Sequence, residues 1–262
     1  MGKLDGKVAI VTGGGGRECR GVALALTKEG ARIAIVGSDE SNWADTAKEI
    51  AKMGGKILSV SCDVRVKTQV DEAVEEVIKE YGRVDILVNC DTMVPAQGQL
   101  LEDTSVEDIE LVIDTILFGA AFFCQSCFHY MRAQGGGRII NMGGMTGLVT
   151  GEGFGPYMMG KDSLIGLTRA VSNEWGKYGI RINTIYTAGY EEVIEEYRRF
   201  RPDLLPDIEF NVPAGRWGDP EKDIGRVVAF LAGPDADFIC GETIIVDGGL
   251  KPSWQIAPFD AE

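Results

Sequence analysis

Apolar residues in this chain fall into short unbroken runs, separated by stretches in which they recur at helical spacing. The runs at 7–11, 32–36, 56–61, 84–88, 138–142, 181–186 and 242–246 read as strands. Strands that are apolar at nearly every position are covered on both faces, the usual condition of a parallel sheet. Between them, the segment around Val22, Leu24, Ala25 and Leu26, and those at 42–53, 70–81, 164–178 and 224–231, carry the spacing of helices with one buried face. Two long helical segments flank the 138–142 strand. This alternation requires right-handed crossovers and predicts an α/β chain: one Rossmann-like, doubly wound domain over residues 1–262, with a mostly seven-stranded parallel sheet and helices on both faces. Residues 188–220 form the one long stretch without a strand. They are expected to make a lid or substrate loop above the strand ends.

Composition narrows the function classes. Of 262 residues, 45% are hydrophobic, enough for a sizeable core, and the formal charge of −14 repels nucleic-acid phosphates and anionic lipid. Neither is an expected partner. The first residues lead straight into a strand with no signal pattern, and the most apolar helical stretch, 116–124, is too short to span a bilayer, so a cytoplasmic protein is expected. Cysteines stand at Cys19, Cys62, Cys90, Cys124, Cys127 and Cys240. Cys124 and Cys127 form a C-x-x-C within an apolar helical stretch. With no second pair to complete a ligand set, buried free thiols are expected and no metal.

A series of short motifs carries a family resemblance. Val11-Thr12-Gly13 ends the first strand, Cys62-Asp63-Val64 the third, and Val84 to Asn89 forms the fourth. Gly137-Arg138-Ile139-Ile140-Asn141 forms the fifth. Tyr157-Met158-Met159-Gly160-Lys161 supplies Y-x-x-x-K, and Arg181-Ile182-Asn183 opens the sixth strand. Gly215-Arg216-Trp217-Gly218-Asp219-Pro220 and Val246-Asp247-Gly248-Gly249 close the series. In this order and spacing, over about residues 5–250, the chain resembles the classical short-chain dehydrogenases/reductases.

That resemblance implies hydride exchange between a nicotinamide ring and an alcohol or ketone. Tyr157 takes the place of the acid/base and Lys161 that of its cationic partner, one helical turn away on the same face. Gly13, Asp63 and Asn89 stand at retained cofactor-binding positions. Other positions depart from the family. The substrate-orienting Ser falls on Gly144, thirteen residues before Tyr157, with Thr146 two residues further on. The proton-relay Asn falls on Ile116. The nucleotide loop T-G-x-x-x-G-x-G aligns with Thr12 to Cys19, so that Arg17 and Cys19 replace glycines and Glu18 stands between them. Those three side chains are expected to obstruct a diphosphate, with Glu18 near a helix start where an anion would rest. The converse is that Arg17 binds a phosphate through a rearranged Gly14-Gly15-Gly16 loop. Cys90-Asp91-Thr92 would crowd the adenosine, and Thr187-Ala188 replaces the turn that cradles the nicotinamide amide. Gly37 replaces the acid that selects NAD, with Ser38 and the misplaced Asp39 behind it. No basic residue supports NADP.

The losses gather on the ligand side of the sheet, while Asn89, Asn141, Asn183, Arg216-Trp217 and Asp247-Gly248-Gly249 persist. The pattern therefore resembles the non-catalytic subunit of a hetero-oligomeric NAD-dependent short-chain alcohol or 3-hydroxyacyl-CoA dehydrogenase. On that reading this chain carries no cofactor. NAD, and a small-molecule substrate such as a CoA thioester, belong to a homologous active subunit in a heterotetramer. The family's partner surfaces would be helices at 103–130 and 159–178 and the last strand, with Phe118, Phe122, Phe123, Phe128 and Leu167 either on such a surface or in the core. Arg198, Arg199 and Arg201, with Arg132 and Arg138, would either meet coenzyme phosphates or lie on a solvated face. His129, the only histidine, reads as a packing residue. Two other readings stand beside this one. One is a self-sufficient NAD(P)-dependent oxidoreductase using Tyr157 and Lys161 with an altered cofactor loop. The other is a binding module whose emptied cleft takes another ligand.

Overall fold

Seven strands lie side by side in the order β3-β2-β1-β4-β5-β6-β7, every neighbour parallel. They are β1 (Val8–Thr12), β2 (Arg32–Gly37), β3 (Ile57–Ser61), β4 (Ile86–Asn89), β5 (Gly137–Met142), β6 (Ile180–Thr187) and β7 (Thr243–Val246). The computed structural model describes residues 2–13, 16–38, 40–92, 99–144, 153–189 and 212–250. The expected doubly wound sheet is the observed one.

Why the strands read as unbroken apolar runs is visible in β1. Ala9 and Val11 enter one core, and Val8 and Ile10 the other. The first core is closed by α1 (Arg17–Lys28), α2 (Glu40–Lys52) and α7 (Arg226–Ala232), through Val22, Leu26, Ile50, Val228 and Leu231. The second is closed by α3 (Lys67–Tyr81), α5 (Gly119–Ala133) and α6 (Gly155–Trp175), through Val70, Val77, Phe123, Met131 and Val171. A strand with helices on both sides leaves no position for a polar alternation.

Several boundaries differ from the sequence pattern for local reasons. The strand expected at 84–88 starts two residues later. Asp85 turns its carboxylate back to accept from Val8 N at 3.0 Å and pairs with Arg83. The helix expected at 164–178 begins at Gly155 and ends in a 3-10 turn, Gly176–Tyr178. The apolar stretch thought too short at 116–124 belongs to one continuous helical rod, Val106–Ala133, of 28 residues. It comprises α4 (Val106–Ile113), a π turn (Asp114–Phe118) and α5. The π turn carries the helix across Gly119 instead of breaking it. The rod is therefore long and apolar enough to cross a membrane by length and composition, yet here its α5 half is packed into the layer beneath α3. Phe123 is wholly buried and belongs to the core rather than to a partner surface, whereas Phe118 is half-exposed and stacks on Phe122.

A buried polar ladder ties the sheet to α6. Asn89 Nδ2 donates to Asn141 Oδ1 at 2.7 Å, Asn141 Nδ2 to Thr168 Oγ1 at 2.8 Å, and Thr168 shares a hydrogen bond with Thr184 at 2.7 Å. Charge-free groups linked in this way fix β4, β5, β6 and α6 relative to one another, with Asn89 Oδ1 left without a hydrogen-bond partner among the described residues. Asn183 holds the segment leading into β7 in the same manner, through Ile239 O and Glu242 N, each at 3.0 Å.

The first helix is held close to the segment that precedes α7. A Cβ built on Gly21 would collide with the Pro220 backbone and stand 2.7 Å from Glu221 N. Gly21→Ala is therefore expected to destabilise the chain by about 1–3 kcal/mol, the usual cost of overpacking against backbone. Urea unfolding would measure it, and an unchanged midpoint would contradict the packing.

Candidate active site

Gly13, Asp63, Asp91 and Gly144 follow the C-terminal ends of β1, β3, β4 and β5, where an open α/β sheet has its crevice. The centre of that crevice is the switch point between β1 and β4. There Gly13 leaves β1 with φ +78°, and a Cβ on it would meet the Cys90 backbone at 3.0 Å. Only glycine combines that conformation with that approach. α1 then starts at Arg17 behind the N-cap Gly16, whose backbone is extended and which has no side chain to cap the helix. The first-turn amides and the positive end of the helix dipole form an anion-binding end.

The three residues expected to obstruct that end go to different places. Arg17 is exposed. Cys19 turns down into the core, 5% exposed, with its Sγ toward Cys90 O at 3.7 Å. The Cys90 thiol is also buried and its pKa is pushed well up, first by its hydrogen bond with Cys19 and then by desolvation. Glu18 is half-buried, and its carboxylate lies against the backbone after β6. A Cβ on Gly189 would stand 2.8 Å from Glu18 Oε1.

Lys161 and Tyr157 come together on α6. Lys161 is 2% exposed, and its Nζ donates to Met142 O at 3.0 Å and to Asp91 O at 3.2 Å. These carbonyls end β5 and follow β4, so the ammonium bridges the two strand ends. The same Nζ lies 5.8 Å from the centre of the Tyr157 ring. The Tyr157 hydroxyl rests over Gly144: a Cβ there would collide with that hydroxyl and stand 3.0 Å from Cζ. With glycine at 144, the tyrosine occupies the start of the path a serine side chain would take. Neighbouring Gly143 is constrained likewise, since a Cβ on it would meet the Tyr186 ring at 2.8 Å. Tyr186 is buried and its hydroxyl donates to Asp162 Oδ1 at 2.5 Å, which braces β6 against α6 one residue beyond Lys161.

Ile116 sits in the π turn and packs with Val112, Ala120 and Leu164, against which Tyr157 also leans. A Cβ on Gly160 would come within 2.9 Å of Ile116 Cδ1 and Val112 Cγ1. Ile116 thus supports the tyrosine helix through apolar contact, with no group able to hold water.

Two acids flank the crevice. Asp63 closes its own turn, accepting from Arg65 N at 3.0 Å and from Arg65 Nη2 at 2.6 Å, and the guanidinium holds its carboxyl below the usual range. Asp91 differs. Desolvation raises its pKa to about 6, against the opposing effects of a Thr12 hydrogen bond and the Lys161 charge, while Asp63 adds to the rise. Sequence reading placed Asp91 as a crowding residue. It held no signal that the carboxyl would lie among Thr12, Lys161 and Asp63, because those groups meet only in the fold. The Asp162–Tyr186 brace was missed for the same reason.

Other candidates fall elsewhere. Arg138 stands at the opposite end of β5, paired with Asp237, and so does not reach a ligand in the crevice. Arg132 lies over the Tyr178 ring at 4.6 Å, and His129 packs edge-on to Phe128 at 5.4 Å, on the α5 surface. All six cysteines are free and five are buried, as expected. Burial pushes the Cys124 thiol up to about 12. Among the described residues no cluster of His, Cys, Asp or Glu fits a metal. Gly14, Gly15, Asp39, Thr146, Arg198, Arg199 and Arg201 lie outside the described residues.

Comparison with known proteins agrees with this architecture. A family model described as Enoyl-(Acyl carrier protein) reductase matches residues 19–251. A 12alpha-hydroxysteroid dehydrogenase from a Clostridium species is 34% identical over 95% of this chain and 98% of its own length. A 2-dehydro-3-deoxy-D-gluconate 5-dehydrogenase from Escherichia coli K12 is 33% identical over 94% and 96%. The structure of an NAD+-bound xylitol dehydrogenase superposes with a TM-score of 0.87 at 28% identity, covering 94% of this chain and all (100%) of that one. These likenesses overturn the expectation that the chain holds no cofactor and leaves NAD to a partner. A relative with the same fold from end to end carries the dinucleotide itself, and here the bulky Cys19 is folded out of the crevice while the N-cap residue is a glycine with no side chain to fill the helix end. None of the three relatives is described as non-catalytic.

Proposed function

This chain belongs to the short-chain dehydrogenase/reductase family, and we propose that it is itself an oxidoreductase, oxidising a secondary alcohol to a ketone or running the reverse, with NAD as its own cofactor. The observation that carries this reading is the buried Lys161 ammonium, anchored to two strand-end carbonyls at 3.0 and 3.2 Å and set 5.8 Å from the Tyr157 ring. A buried cation fixed beneath a tyrosine stabilises negative charge on the phenolic oxygen as a proton leaves it.

Gly13 and the first turn of α1 would hold the diphosphate, and Lys161 would hold the adjoining ribose. The cofactor supplies the hydride acceptor or donor. Everything else falls to this chain's own atoms. Tyr157 accepts the hydroxyl proton of the alcohol during oxidation and returns it during reduction. Lys161 keeps that exchange favourable by charge. Gly144 contributes no hydroxyl, so among the described residues Tyr157 is the group that positions the substrate oxygen. Ile116 and Gly160 keep the tyrosine at its place by packing. The 188–220 segment acts as the substrate loop. Its two ends are stitched together at the crevice, with Gly218 N donating to Ala188 O at 3.1 Å and a parallel bridge from Gly189 to Gly218.

The crevice favours NAD over NADP. Asp63, in the turn after β3, is the acid on the adenosine side, and a 2′-phosphate would add two negative charges there. Calorimetric titration of the purified chain, together with absorbance assays on a panel of secondary alcohols, tests both claims. Binding of NAD at micromolar concentration, at least tenfold tighter than NADP, is expected, with NADH formed from at least one alcohol. Absence of any dinucleotide binding would sink the reading.

A further inference from the structure

Glu18 stands where the sequence suggests only an obstacle, but its direction gives it a different role. It is the second residue of α1, between the ends of β1 and β4. Its side chain does not lie over the β2–β3 half of the sheet. It reaches to Gly189, the second residue after β6, where a Cβ would stand 2.8 Å from Oε1 and 3.3 Å from Cγ. Glycine at 189 is what admits the carboxylate. The β5–β6 side of the switch point is also where Lys161 donates to Met142 O and where Tyr157 covers Gly144. Glu18 and Lys161 moreover act with opposite sign on one group, the Cys90 thiol, from α1 and from α6.

A dinucleotide bound across a switch point straddles it. Its reacting ring must lie on the side of the acid/base pair, and its adenosine on the other. Glu18 therefore faces the ring half. The nicotinamide ring is cationic when oxidised and neutral when reduced, whereas the diphosphate carries the same charge in both forms. A carboxylate near the diphosphate alone would weaken both forms equally. A carboxylate on the ring side separates them. Resting on the cofactor reading above, we propose that Glu18 is a redox-discriminating residue, which holds the oxidised nicotinamide in preference to the reduced one and lowers the potential of the bound cofactor.

The test uses the full chain and its Glu18→Gln variant, which keeps the size and shape of the side chain. The Kd of NAD+ is measured by calorimetry and that of NADH by its fluorescence, with no substrate present. The expected result is a fall of about tenfold in the ratio Kd(NADH)/Kd(NAD+) on substitution, the size expected of one charge a few ångströms from another in a half-buried site. For a two-electron couple that is a shift of about 30 mV in the potential of the bound cofactor. The shift shrinks little with salt, because the pair is shielded from solvent. If both constants tighten by one factor and the ratio holds, Glu18 acts on the diphosphate only and the proposal is overturned while the cofactor reading stands. If neither protein binds either form, the cofactor reading fails and the proposal with it.

Discussion

Tyr157→Phe is expected to lower kcat for alcohol oxidation by roughly 10²–10⁴-fold, the range for loss of a positioned acid/base group. The substitution removes one oxygen and keeps the ring, so the contacts with Ile116, Val112 and Leu164 survive and folding should be unaffected. NAD affinity should stay within a factor of two or so, since uniform binding is not touched. The pH dependence should also flatten on the acid side, where the wild-type tyrosine must give up its proton. Steady-state assays and calorimetry on the same preparations separate these quantities. Equal kcat in the two proteins would remove Tyr157 from the chemistry and leave Lys161 as a structural cation alone.

Asp91→Asn is expected to make the chain more stable at neutral pH, which is the reverse of the usual effect of deleting a buried charge partner. The folded-state pKa of Asp91 is raised from 3.8 to about 6. The native state therefore holds this proton more tightly than the unfolded chain does. Below about pH 4 the carboxyl is neutral in both states and contributes nothing. As pH rises from about 4 to about 6 the unfolded chain ionises first, and stability is lost. Above that window the deficit is complete, roughly 2–3 kcal/mol for a shift of this size. The groups facing the carboxyl are the Thr12 hydroxyl from β1, the Lys161 ammonium from α6 and Asp63 from the turn after β3. An asparagine keeps an acceptor for Thr12 and removes the charge. Urea unfolding of both proteins between pH 4 and pH 8 should give a difference near zero at the acid end that grows through pH 6. A difference that is constant with pH would mean that Asp91 titrates normally.

The two substitutions also differ in how visible their targets are along the chain. Tyr157 and Lys161 are four residues apart, one turn of helix, and their spacing alone puts them on one face. The glycine replacing serine at 144 was equally legible. What the spacing does not carry is that the tyrosine hydroxyl lies over that glycine, because strand end and helix are brought together by the Asn89–Asn141–Thr168–Thr184 ladder. Asp63 reads as a cofactor contact or a turn closer, and its contacts with Arg65, two residues on, are those of the turn. Cys19 shows the limit most clearly. By alignment it replaces a glycine beside the diphosphate, where a Cβ reads as an obstruction. The helix instead turns the thiol inward to Cys90, which replaces a small residue at the end of β4. Each change looks damaging alone, and together they pack.

The sequence by itself determined the sheet, because a strand apolar on both faces and a helix apolar on one leave their periods in the order of residues. It also determined the pairing of Tyr157 with Lys161, a contact within one helical turn. Only the tertiary structure decided where Glu18 points, where Cys19 goes and why the Asp91 carboxyl titrates above its usual range. These depend on residues such as Gly189, Cys90 and Lys161, which lie some 70 to 171 positions away along the chain. Local spacing records the direction of a side chain within its own element. The charge and volume that meet it come from other elements, and those are set only when the crossovers close.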